Sequence, residues 1–446
     1  MKQQYDSYKP SGIDWIGDIP SHWKLSKIKF IGEIRGRIGF RGYTTADLVS
    51  EGEGALTIGG KHISNNVIDL TDPEYISWDK YYESPEIMVS KGDIVIAQRG
   101  TLKRTAYISK NIGPATINPS LLLLTNIKIN PKYLHSYLCS NATTEFIDYL
   151  NTATAVPMIS QYQIENIRII EPPLAEQEAI AAWLDKKCEE IDAAIAKVDR
   201  EIELIDELKQ SEISRVVTRG LNPDAPLRPS GIDWIGNIPE HWKIVPIKSL
   251  GFFTKGLTFT KADLADEGKS VISYGQIHSK LNDKVGIRRE LIRYIPDRIC
   301  LNNASSLTKK GDFIFADTSE DLQGCGNAVY NDTLIPLYGG YHTIILHSFS
   351  EDNKYFGYLF LTDAWRSQIR ASVSGVKVYS ITQSILKNCN ILVPPLSEQQ
   401  AIADYLDKKC AEIDGLKAKL TKKRETLTEL RQSIISEVVT GKRKVI

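Results

Sequence analysis

One phrase occurs twice in this chain, and it limits what the chain can fold into. Ser11-Gly-Ile-Asp-Trp-Ile-Gly-Asp-Ile-Pro-Ser-His-Trp-Lys24 returns as Ser230-Gly-Ile-Asp-Trp-Ile-Gly-Asn-Ile-Pro-Glu-His-Trp-Lys243, an offset of 219 from Ser11 to Ser230. A second phrase, Pro172-Pro-Leu-Ala-Glu-Gln-Glu-Ala-Ile180, returns as Pro394-Pro-Leu-Ser-Glu-Gln-Gln-Ala-Ile402, an offset of 222. Solenoid repeats run about 20–50 residues, so a period near half of 446 residues means two copies of a whole domain. Such a chain carries an approximate internal two-fold and suits a two-fold partner, or a pair of identical partners.

Length predicts two or three domains with cores of their own. Apolar residues make up 42% and charged residues 25%, the balance of an ordinary globular protein. No run approaches the roughly 18 apolar residues of a membrane span. The polar start Met1-Lys-Gln-Gln-Tyr-Asp-Ser-Tyr8 lacks the apolar core of a signal peptide, so a cytoplasmic location is expected. The six cysteines contain no C-x-x-C pair, which argues against a disulfide framework or a zinc site. Cys188 and Cys410, at matching places, read as small core residues. Net charge is +0, less basic than a protein that grips DNA alone through many phosphates. If nucleic acid is the target, another subunit supplies much of the phosphate clamp.

Each copy divides alike. The front parts, about 26–171 and 245–393, are rich in β-branched runs closed by Gly, Asn and Asp turns. Lys91-Gly-Asp-Ile-Val-Ile-Ala97 matches Lys310-Gly-Asp-Phe-Ile-Phe-Ala316, a turn feeding a buried strand. One amphipathic helix is expected near Pro131–Leu150 and another near Asn353–Ala371. Between these landmarks the copies differ, as two related domains reading different targets should.

The back parts read as long helices that start after Pro-Pro and end at Gly220 and Gly441. Leu184, Cys188, Ile191, Ile195, Val198, Ile202 and Ile205 form a heptad seam. Leu406, Cys410, Ile413, Leu420 and Leu427 keep the same frame, with Lys417 and Arg424 as breaks. Residues 176–219 carry 12 acids and 7 bases, and residues 398–444 carry 8 acids and 11 bases, so the two helices are suited to pair antiparallel. The expected fold is α+β: two similar mixed α/β domains separated by two long antiparallel coiled-coil helices, with pseudo-two-fold symmetry. The expected boundaries are 1–174 and 221–396 for the domains, and 175–220 and 397–446 for the helices.

The doubled Gly-Ile-Asp-Trp-Ile-Gly-x-Ile-Pro-x-His-Trp, the doubled Pro-Pro-Leu-x-Glu-Gln-x-Ala-Ile and the alternation of domain with helix resemble, from end to end, the specificity subunit of type I restriction–modification enzymes. The resemblance implies two target recognition domains, each reading half of an asymmetric bipartite DNA site. It also implies helical spacers that hold two methyltransferase subunits, with restriction subunits completing the complex. S-adenosylmethionine would then sit on the methyltransferase, with no cofactor and no catalysis on this chain.

Candidate DNA contacts follow from the loops. Gln98, Arg99, Thr101, Lys103 and Arg104 occupy an expected hairpin. Arginine pairs with guanine and glutamine with adenine, while a solvated basic turn is the other reading. Lys61 and His62 follow Gly59-Gly60, and Gln276, His278 and Lys280 follow Gly275, where glycine permits close approach to a backbone. Ser319, Glu320 or Asp321, Gln323, Tyr341 and His342 stand in loops of the second copy that resemble the family's, with turn capping as the other reading for the acids. Lys377, in Ser374–Ile381, is a candidate phosphate contact; the first-copy counterpart, Thr152–Ile159, is apolar and fits packing instead. Trp15, Trp23, Trp234 and Trp242 either stack on bases or anchor the scaffold. Their place in the unchanged phrase favours anchoring. The tail Lys442-Arg-Lys444 is either a phosphate contact or a solvated end.

Two other classes of function fit the sequence less well. A fused methyltransferase needs Asn- or Asp-Pro-Pro-aromatic, and the Pro-Pro pairs here, Glu171–Leu174 and Val393–Leu396, are helix starts. No P-loop or nuclease-like acid cluster is present. The alternative, a two-fold coiled-coil protein scaffold without DNA readout, is compatible with the seam, while loops that diverge on a common frame argue against it.

Overall fold

The computed structural model describes residues 4–150, 157–282, 285–375 and 377–445, the side chain of Phe40 aside. The chain forms two compact units, one of residues 1–199 with 421–446, the other of residues 200–420. Two long helices dominate the sequence map: α1, Leu174–Arg219, and α2, Leu396–Val439.

In the first unit, a four-stranded antiparallel sheet runs in the order Thr105–Tyr107, Ile94–Ala97, Leu121–Thr125, Glu33–Gly36. A second sheet runs Ala115–Ile117, Gly54–Ile58, Tyr75–Ser77, Leu48–Val49, with its first pair parallel. The second unit repeats this plan. Its sheets run Gly251–Lys255, Thr343–Ser348, Phe313–Ala316, Ala328–Tyr330 and Arg293–Ile295, Lys269–Ile272, Leu337–Gly339, Leu307–Thr308. The pair Lys269–Ile272 with Leu337–Gly339 is again parallel. Central strands such as Ile94–Ala97 and Phe313–Ala316 are buried along their whole length, because both faces are covered. The matched Lys-Gly-Asp turns form as expected. Gly92 and Gly311 take φ +102 and +95, and Asp93 and Asp312 accept from the Ser90 and Lys309 N–H groups.

The helix expected near Pro131–Leu150 is two helices, Pro131–Leu138 and Asn141–Leu150, and its counterpart is Lys354–Phe360 and Asp363–Arg370. The breaks lie at Ser140 and Thr362. Their hydroxyls turn back to the carbonyls of Tyr137 and Leu359, both at 2.6 Å, and so end one helix before the next begins.

The two repeated phrases meet. Strand Lys24–Lys27 pairs with Arg168–Glu171, and Lys243–Pro246 with Asn390–Val393, which brings each His-Trp to the start of a long helix. The buried Trp23 indole donates to Glu176 at 2.9 Å, and Trp242 to Glu398 at 3.0 Å. His22 and His241 hold the other oxygen of the same carboxylates, both at 2.6 Å. Each unit also grips the end of the other long helix. Tyr355 Oη donates to the Val217 carbonyl at 2.9 Å, and Tyr133 Oη, which donates to the Ile170 carbonyl at 2.7 Å, lies 3.4 Å from that of Val439.

The helices pair antiparallel within each unit. Leu184, Ile191 and Val198 are buried in the first unit, as are Leu406, Cys410 and Ile413 in the second. Ile195 and Leu427 pack partly buried beside the first core, and Ile202 and Leu420 are half-buried. The breaks at Lys417 and Arg424 are ion pairs. Arg431 meets Asp192 and Arg424 meets Asp199 in the first unit, while Lys417 meets Asp206 and Lys209 meets Asp414 in the second, all within 2.6–2.8 Å. Each step of seven down α1 meets a step of seven back along α2. These half-exposed pairs contribute little stability singly, about 0–1 kcal/mol, but fix register.

Both long helices close on glycines in the left-handed region, Gly220 at φ +75 and Gly441 at φ +73. A methyl group at Gly220 would lie 3.3 Å from Trp242, whereas one at Gly441 would lie 2.3 Å from the Pro20 ring. Gly441→Ala therefore costs about 3 kcal/mol and Gly220→Ala about 1–2 kcal/mol, from the left-handed backbone plus overpacking at Gly441. Urea unfolding of the two variants measures this, and equal losses would contradict the packing described.

Candidate nucleic-acid interface

The loops singled out in the sequence gather, in each unit, at one end of the sheets. In the first unit, strands Gly54–Ile58, Ala115–Ile117 and Ile94–Ala97 run out at this end into Gly59-Gly60-Lys61, Asn118-Pro119-Ser120 and Gln98-Arg99. In the second, Lys269–Ile272, Leu337–Gly339 and Phe313–Ala316 run out into Ser273-Tyr274-Gly275, Gly340-Tyr341-His342 and Asp317-Thr318-Ser319. The incoming chain that pairs with these loops also corresponds. Ile159 N–H donates to Gln98 O at 2.9 Å, and Ile381 N–H to Asp317 O at 2.7 Å.

Several candidates hold the loops rather than project from them. His62 is buried, accepting at Nδ1 from the Gly59 N–H (2.8 Å) and contacting the Asp72 carbonyl through Nε2 (3.0 Å). Its expected exposure to DNA is corrected: it is the internal brace of its turn. Gln276 does the same work, its Oε1 accepting from the Ser273 N–H at 3.1 Å. His278 bridges the Thr318 carbonyl and the Asn327 amide. Ser319 is buried, donating to the Asp321 carbonyl, while Asp321 caps the Gly324 N–H at 2.6 Å. These residues shape their own loops, and polar side chains in this spacing are easily taken for readers.

Other candidates stand at the surface in ion pairs or backbone bonds. Lys61 lies between Asp72 (2.7 Å) and Glu74 (3.1 Å), and its hydrogen bond to Asp72 holds its pKa above the usual lysine value. Lys103, at φ +69, pairs with Asp148. Arg104 donates to the Gly60 carbonyl at 3.2 Å, joining the hairpin to the Gly59–His62 turn, and Gln98 donates to the Pro119 carbonyl at 2.9 Å. His342, at φ +55, contacts Asp317 and Thr318. Tyr341 packs edge-on to Phe259 and Tyr274, and burial raises its pKa.

A third group is exposed with no side-chain partner among the described residues: Arg99, Thr101, Lys280, Glu320, Gln323 and Lys377. Arg99 lies beside Met158, whose side chain is exposed. Lys377 adjoins Tyr379–Ser380, the strand paired with Thr318–Ser319. The first-copy counterpart of the Lys377 segment falls largely on residues 151–156, outside the described residues. Sequence reading missed Tyr274 and Arg366, which line the same cleft of about 540 Å³ as Glu320, Asp321 and Gln323. Arg366 belongs to a helix distant in sequence, so no local pattern marks it.

Of the four repeated tryptophans, Trp23 and Trp242 are buried anchors. Trp15 and Trp234 are exposed, at 36% and 45%. Trp15 still donates to the Ala142 carbonyl at 3.0 Å. The tail folds back on the first unit, Lys444 over the Tyr5 ring and Arg443 over Trp183. No described helix is long and apolar enough to cross a membrane.

Comparison with known proteins gives consistent results. The family model described as the type I restriction modification DNA specificity domain matches residues 20–204 and again 239–423. The type I restriction enzyme MjaVIII specificity subunit of Methanocaldococcus jannaschii is 22% identical, over 96% of this chain and 94% of its own. The putative MjaX specificity subunit of the same organism is 24% identical, over 96% of both chains. A solved chain from a study of complex assembly and conformational transition of the type I R-M system superposes with a TM-score of 0.67 at 16% identity. It covers 95% of this chain and 99% of its own, and so shares the fold.

His62→Ala removes a buried brace and costs about 1–3 kcal/mol, whereas Arg99→Ala changes stability by about 0.5 kcal/mol or less. Thermal denaturation distinguishes the two, and a destabilising Arg99→Ala would contradict its placement at the surface.

Proposed function

The chain belongs to the type I restriction–modification DNA specificity family, and from that premise we propose that each of its units reads one half of a bipartite DNA target. The observation that carries the proposal is the pair of loop clusters at the same sheet end. Their backbones correspond, and their side chains differ, with Arg99 and Gln98 in one copy and Thr318 and Asp317 in the other. A common frame with unlike side chains suits two readers of unlike half-sites.

The long helices are the second part of the proposal. They dock two copies of a methyltransferase subunit, which brings S-adenosylmethionine and modifies adenine N6, and restriction subunits join the same assembly in the cytoplasm. This chain supplies the address and the frame, with no chemistry of its own. A net charge of +0 fits that division of labour, since the phosphate clamp then lies largely on the partners.

A genome-wide map of N6-methyladenine, with the gene intact and deleted, tests the address role. Loss of one split motif, two short half-sites around a fixed gap, is expected, and an unchanged map would contradict it. The frame role makes a separate prediction. Inserting one heptad in α1 and a matching heptad in α2 adds about 10 Å and keeps the seam in phase. The gap should grow by about three unread base pairs at ~3.4 Å each. A gap of unchanged length would remove the helices as the determinant of spacing.

A further inference from the structure

The cleft of about 540 Å³ in the second unit contains polar groups whose bonding is incomplete. Arg366, from the helix Asp363–Arg370, lies with its stem beside Gly326, and its Nε is sealed from solvent without an acceptor. Its guanidinium makes no hydrogen bond or ion pair among the described residues. Neighbouring Arg370 shares the sealed Nε, but its terminal nitrogens are tied to Asp363 and to the Gln323 carbonyl. Burial and the charge of Arg370 both push the Arg366 pKa down. The group nonetheless stays cationic, so it awaits an acceptor.

The cleft also holds unmet acceptors. Asn327 Oδ1 is sealed without a donor, and Glu320 presents an exposed, unpaired carboxylate. Asp321 is occupied in its turn, at 2.6 Å from the Gly324 N–H. A phosphate would satisfy Arg366 but would meet two carboxylates of its own sign. A G·C base pair offers both complements: guanine O6 and N7 to an arginine, and the cytosine amino group to a carboxylate.

We propose that this cleft reads a G·C base pair in the half-site of the second unit, with Arg366 donating to guanine and Glu320 accepting from cytosine. The assignment rests on the reading that this unit binds DNA. The first copy lacks the arrangement. The offset of 222 that relates Ser140 to Thr362 places Thr144 where Arg366 stands.

The test uses the full chain with its methyltransferase partner and maps methylated motifs for wild type, Arg366→Ala, Arg366→Lys and Glu320→Ala. The wild-type motif should contain a G·C pair in one half-site. Arg366→Ala and Glu320→Ala should relax that one position by about 10- to 100-fold and leave the other half-site unchanged. A uniform loss across all sequences, rescued by Arg366→Lys and accompanied by a shallower salt dependence, would make Arg366 a phosphate contact and overturn the proposal. An unchanged motif in both alanine variants would also overturn it. If the Arg366→Ala complex fails to assemble, Glu320→Ala, at an exposed side chain, decides alone. A wild-type chain that directs no split motif overturns the DNA reading itself, and the cleft assignment with it.

Discussion

One carboxylate in each unit, Glu176 or Glu398, organises the structure around it. It sits in the first turn of a long helix, where the helix dipole favours negative charge, and takes an indole N–H and an imidazole nitrogen from the repeated His-Trp. Removing it would leave a buried indole donor unmatched and free the helix start from the small sheet beside it. The glycine that ends the opposite helix lies against the same tryptophan, so one junction fixes a strand, a helix start and a helix end together. Two phrases far apart in sequence are therefore repeated as a pair because they form a single contact.

That junction explains which parts of the fold were legible. The duplicated phrases, the Lys-Gly-Asp turns and the heptad seam are local patterns, each with a local physical cause, and the structure contains them all. The helix break at Ser140 and Thr362 was not legible, because a hydroxyl that turns back to a carbonyl looks like any polar residue on an amphipathic face. Lys417 and Arg424 read as flaws in the seam until Asp206 and Asp199 stand opposite them. Charge complementarity between the helices was visible in bulk, but its register was not.

The candidate interface was legible as a set of loops and less so as individual side chains. Loops after buried strands end where the strands end, so their convergence follows from topology. Whether a polar residue points outward or braces its own turn depends on its neighbours. His62 and Gln276 fill the same bracing position in two turns of different composition. Arg366 shows the reverse error, since a helix far along the chain delivers a charge to a cleft made by other loops. Among the described residues of the second unit the exposed, unpaired candidates mix one acid, Glu320, with two bases, Lys280 and Lys377, a set better suited to discrimination among bases than to general attraction to phosphate.

The central claim is that each unit carries its own half of the address on an interchangeable frame. The most direct measurement replaces residues 245–393 with a second copy of 26–171 and determines the methylated motif of the resulting complex. Two copies of one half-site in inverted orientation are predicted, because like readers would then stand on like junctions. An unchanged asymmetric motif would contradict the claim, since specificity would then reside outside the exchanged domain.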